Sequence, residues 1–83
     1  MKFTQEQEAL TKIAEKLKTK LERLEETISQ REDYVSEKSE KWLESSTGEA
    51  YAEKTEQLDD TCSVVQNIVD ELEDLASQLE ELQ

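Results

Sequence analysis

The chain has no histidine, no proline, one glycine (Gly48) and one cysteine (Cys62) among its 83 residues, and no lysine or arginine after Lys54. Each shortage excludes something. Without histidine there is no Glu-x-x-His di-iron pattern, no histidine-based zinc site and no imidazole base to activate Cys62 or a Ser or Thr hydroxyl. Without proline, and with a single glycine, helix can run almost anywhere and has few stopping points. A lone cysteine agrees with a reducing compartment. No apolar run reaches the length of about 18 residues that suggests a membrane span, and there is no glycine-rich phosphate loop. The carboxylates at Asp59-Asp60 and Asp70-Glu71-Leu72-Glu73-Asp74 lack the glycine and alternating ligands of an EF-hand. Met1-Lys2-Phe3-Thr4-Gln5-Glu6 turns polar at once, unlike a secretory leader. These shortages predict a cytoplasmic protein with no enzymatic activity, cofactor, metal or membrane span.

What is present is charge, 39% of residues, against 34% hydrophobic. On average composition that balance reads as disorder. The placement of the apolar residues argues otherwise. Leu58, Val65, Ile68, Leu72, Leu75, Leu79 and Leu82 follow alternating gaps of three and four after Val65, the period of a helix with one face turned to a partner helix. Upstream, Leu10, Ala14, Leu17, Leu21, Leu24, Ile28, Val35 and Trp42 trace a second seam, interrupted where Arg31 and Lys38 stand at apolar positions. Those two either lay their stems on the seam with their charges in water, or the helix bends there. The absence of Gly or Pro favours one long helix.

The only cluster of turn-forming residues is Glu44-Ser45-Ser46-Thr47-Gly48-Glu49. Thr4 with Gln7, and Ser46 with Glu49, fit capping boxes. The expected fold is therefore all-α and a single domain spanning 1–83. It is an antiparallel hairpin with helix 1 at about residues 4–44, a turn at about 45–48 and helix 2 at about 49–82. Charge agrees with this chain reversal. Residues 1–20 carry five lysines and three glutamates, while residues 55–83 carry nine carboxylates and no base. A hairpin sets these segments side by side; a straight helix would hold them far beyond a Debye length apart.

Two helices cannot enclose all these side chains, and Cys62, Val64, Val69 and Ala76 widen the apolar stripe of helix 2. A broad stripe suits three or four helices, so the chain is expected to self-associate, most simply as a homodimer of two hairpins in a four-helix bundle. The oligomer seam would be Leu10, Leu17, Leu21, Leu24, Ile28, Leu58, Val65, Ile68, Leu72, Leu75, Leu79 and Leu82. Three of the four aromatic residues, Tyr34, Trp42 and Tyr51, gather near the hairpin tip. They read as a partner-binding anchor or as a plug for the bundle's end. Cys62 reads as a small packing residue, with nothing basic nearby to activate it.

A net charge of −12 excludes direct nucleic-acid binding through phosphates as the default. It allows the inverse relation, an acidic rod docking on a basic nucleic-acid-binding or host-defence protein as a DNA mimic or inhibitor. Asp70, Glu71, Glu73 and Asp74 would then stand in for phosphates. A solvated face that serves solubility is the plainer reading.

Ser39-Glu40-Lys41-Trp42-Leu43-Glu44-Ser45-Ser46-Thr47-Gly48-Glu49-Ala50-Tyr51, followed by the acidic Leu-rich tail, resembles small helical proteins of unknown function encoded by bacteriophages and prophages. The resemblance implies a phage context, in which small acidic proteins can block host enzymes or defence systems. It carries over no functional residue.

Overall fold

The computed structural model describes residues 2–83 as three helices: α1 (Thr4–Ser36), α2 (Glu40–Glu44) and α3 (Ser46–Leu82). α1 and α3 pack against each other as the arms of an antiparallel hairpin, and α2 packs against α3 between them. The rod measures 64 × 15 × 13 Å. There is no strand among the described residues.

The arms meet along two heptad seams. On α1 the buried or half-buried positions run Gln7, Leu10, Ala14, Leu17, Leu21, Leu24, Ile28, Arg31, Val35. On α3 they run Gly48, Tyr51, Thr55, Leu58, Cys62, Val65, Val69, Leu72, Ala76, Leu79. Both alternate three and four throughout, the spacing of a coiled coil. The buried apolar residues are mostly small: Ala14, Leu21, Cys62, Ala76, and Val69 with no exposed surface at all. Small side chains let two helices approach closely enough to hide them without a third element.

The structure corrects the expected helix 2 seam within the hairpin. Leu58, Val65, Leu72 and Leu79 do face α1, but their companion row is Cys62, Val69 and Ala76. Ile68, Leu75 and Leu82 point away from it, with 43%, 46% and 67% of their surface exposed. Rows three and four residues from Val65 are both apolar, and closeness of approach selected the smaller side chains.

The continuous helix expected to about residue 44 is also corrected: α1 stops at Ser36. The Ser36 hydroxyl donates back to the Asp33 carbonyl at 2.7 Å. The amides of Glu37 and Lys38 reach only three residues back, to Tyr34 and Val35, which tightens and ends the last turn. Ser39 then caps α2 by accepting from the Trp42 amide at 3.2 Å. Ser45 both ends α2 and starts α3: its hydroxyl donates to the Trp42 carbonyl and accepts from the Gly48 amide. The reversal is thus spread over residues 37–45, and Ser46 to Gly48 lie inside α3 rather than in a turn.

Gly48 has no positive φ; its role is room. A Cβ there would overlap the Trp42 carbonyl oxygen and come within 2.9 Å of Leu43 Cα. The start of α3 crosses the backbone of α2 too closely for any side chain. At the other end, the expected Thr4–Gln7 capping box does not form; Phe3 is the N-cap, with no side-chain cap. Thr4 Oγ1 donates to Gln83 Oε1 at 3.1 Å, and Gln83 Nε2 donates to Gln7 Oε1 at 2.7 Å. The two residues instead clasp the end of α3.

Candidate functional site

At the tip, Tyr34, Trp42 and Tyr51 form one aromatic cluster. Ring centroids lie 5.9 Å apart for Tyr34–Trp42, 5.2 Å for Tyr34–Tyr51 and 5.8 Å for Trp42–Tyr51, with both Trp42 contacts edge-to-face. Two cations join it. The Arg31 guanidinium stacks 3.8 Å from the Tyr51 centroid, while its Nε donates to Thr55 Oγ1 at 2.8 Å and an Nη donates to the Tyr51 carbonyl at 3.1 Å. Lys38 Nζ stands 4.3 Å from the Tyr34 centroid and 5.5 Å from that of Trp42. The seam "breaks" at Arg31 and Lys38 are cation–π positions, with charge turned onto aromatic faces. Trp42 and Tyr51 are half-buried in this cluster, and Tyr34 is exposed.

The two flanks of the seam differ in character. One flank is polar: Lys18 and Glu73, each four residues past a buried position, form an ion pair at 2.6 Å. They line a shallow groove with Thr11, Ala14, Ala76 and Glu80. The hydrogen bond that Lys18 donates to Glu73, and then the charge of that carboxylate, raise the Lys18 pKa. Cys62 is buried in the seam between Glu25 and Asp59. Burial first, and those carboxylates second, push its thiol up, so it is a protonated packing group.

The other flank holds half-buried seam residues such as Arg31 and Leu58, which share a groove with Lys54 and Thr61. Three residues past half-buried positions, on this same flank, stand Ile13, Tyr34, Ile68, Leu75 and Leu82, with Val64 in the next row out; all are exposed. Among these two rows of α1 and α3, the only carboxylates are Glu6 and Glu71, while Lys16, Lys20 and Arg23 lie on the α1 side. Most of the acidity is therefore turned elsewhere. The hairpin has one apolar, locally basic face and a carboxylate-rich remainder.

Of the residues singled out by sequence, Trp42 and Tyr51 come together. Leu10, Leu17, Leu24, Ile28, Leu58, Val65, Leu72 and Leu79 are half-buried in the hairpin, and Leu21 is buried. Asp70, Glu71, Glu73 and Asp74 are exposed; Asp70 accepts from Gln66 at 3.0 Å and Glu73 is taken by Lys18. Sequence reasoning missed Ile13, whose signal was an extra apolar residue between Leu10 and Leu17. Among the described residues, no group of three or more Cys, Asp or Glu could hold a metal ion, and no helix is long and apolar enough to cross a membrane. No protein-family model, curated protein or solved structure matches this chain.

Proposed function

We propose that this chain is a non-enzymatic helical oligomerisation and protein-interaction module, cytoplasmic, whose working form is a homodimer of hairpins in a four-helix bundle. One observation carries the reading: the hairpin buries mostly small residues while Ile13, Val64, Ile68, Leu75 and Leu82 line up on one open face. An apolar cluster gathered on one face of a rod this thin marks an association surface. The resemblance at residues 39–51 supports a phage or prophage setting. Sedimentation equilibrium tests the proposal. The expected mass at micromolar concentration is about 19 kDa, twice the 9.6 kDa of one chain. A folded species of 9.6 kDa throughout that range overturns the reading.

A second reading, an acidic inhibitor or DNA mimic docking on a basic protein, draws support from the exposure of Asp70, Glu71, Glu73 and Asp74 on an arm with eleven carboxylates and a single base. Pull-down from the native host separates the two. Capture that weakens with salt and is abolished by reversing those four residues to Lys favours the inhibitor. Salt-insensitive capture lost on Trp42→Ala or Tyr51→Ala favours an adaptor using the aromatic tip.

A further inference from the structure

Resting on the self-association reading, the geometry points to how the second copy sits: it covers the Ile13–Ile68–Leu75 face about a two-fold axis parallel to the rod. α1 of each copy then lies over α3 of the other, and both aromatic tips share one end. The face can carry such an interface. A surface 64 Å by 15 Å has on the order of 900 Å² of projected area, comparable with the roughly 800 Å² per partner of a stable complex.

Two face-to-face arrangements have two-fold symmetry, and both surround each helix with antiparallel neighbours. They differ in what they stack. With the axis across the rod, the tips point opposite ways and α3 lies on the partner's α3. α3 carries eleven carboxylates against Lys54, a net −10, so that arrangement sets −10 against −10. With the axis along the rod, α3 instead faces α1, whose six bases and eight acids leave only −2, and whose Lys16, Lys20 and Arg23 point toward this face.

The distribution of apolar side chains selects the same arrangement. Within the hairpin, Arg31 is level with Thr55 and Thr4 with Gln83, so residues at equal height have numbers summing to about 86–87. An axis along the rod preserves height between copies. It brings Ile13 to the level of the partner copy's Leu75, and Lys16 to the level of its Glu71. Every strongly exposed aliphatic residue of the face, from Val64 to Leu82 and Ile13, lies in the half remote from the tip. Apart from Tyr34 and Ala50, the tip half of the same rows is polar, with Thr27, Gln30, Lys54, Gln57 and Thr61. An axis across the rod, at full overlap, would press the apolar half of each copy on the polar half of the other.

The test is a distance between equivalent nitroxide labels in the intact protein with Cys62→Ala removing the native thiol. Labels are attached at Lys41→Cys for the tip and at Lys12→Cys for the open end, both exposed positions. Distances within about 30 Å at both sites are expected, given interaxial spacings of about 8–10 Å plus the label arms. A separation near 60 Å at the tip site, close to the full 64 Å of the rod, or of about 40 Å at Lys12, which at about 1.5 Å per residue stands about 13 Å in from the open end, overturns the orientation while leaving self-association intact. Absence of any intermolecular dipolar signal, with a monomer in the centrifuge, overturns self-association itself. A charge pair gives an independent reading: Ile13→Lys or Leu75→Glu alone should weaken dimerisation at least tenfold, and the double variant should recover most of the loss. Double-variant dimerisation no stronger than that of either single variant contradicts the contact between these two positions.

Discussion

The Arg31 guanidinium sits over the Tyr51 ring, 3.8 Å from its centroid, while its nitrogens donate to Thr55 and to the Tyr51 carbonyl. One side chain thus ties α1 to α3 by stacking and by hydrogen bonds at a seam position where a leucine would be usual. Arg31→Ala is expected to destabilise the hairpin by about 1–3 kcal/mol, from the lost cation–π contact and charged hydrogen bonds. Arg31→Lys should recover less than half, because an ammonium lacks the planar fork. Urea titration followed by circular dichroism measures both.

Gly48→Ala separates crowding from helix propensity. Propensity alone would add about 1 kcal/mol in a helix interior. The overlap with Trp42 and Leu43 should outweigh it, for a net loss of roughly 1–2 kcal/mol. A gain in thermal stability would show that α2 moves aside freely.

Cys62 sets an alkaline limit. Its raised pKa means that the folded chain keeps the thiol proton where the unfolded chain, titrating near about 8.5, has released it. The folded state then binds more protons, so stability falls as pH rises through the unfolded value toward the folded one. The urea midpoint should be lower at about pH 9.5 than at about pH 7.5, and Cys62→Ala should flatten that slope. Lys18, also raised, holds its stabilising charge until above the ordinary lysine value of 10.5, so it does not contribute to this window.

Salt should stabilise. The net charge of −12 is dominated by α3, and raising ionic strength from about 0.01 M to about 0.15 M shortens the Debye length from about 30 Å to about 8 Å. The melting temperature should climb across that range. A fall would mean that pairs such as Lys18–Glu73 outweigh the self-repulsion.

The hairpin and the α1 seam were legible because Leu10, Leu17, Leu21 and Leu24 have no rival row. On α3 the signal was degenerate. Both Cys62–Val69–Ala76 and Ile68–Leu75–Leu82 complete a heptad with Leu58, Val65 and Leu72, and bulk favours the second on any hydrophobicity scale. Interhelical distance decides between them, and no local pattern encodes it. Arg31 and Lys38 registered only as interruptions, since the Tyr51 ring that receives Arg31 lies twenty residues downstream. Gly48 was visible as a turn-former, yet its purpose depends on where the Trp42 carbonyl ends up.

The Gln83 clasp on Thr4 and Gln7 has a practical corollary for fusions and tethers. Whatever polypeptide is joined before Thr4 and after Gln83 departs from one spot, about the full reach of the rod away from Trp42. Grafted into a surface loop of another protein, the hairpin would therefore project as a stiff mast with its rings at the masthead, and its footing would stretch the host loop little.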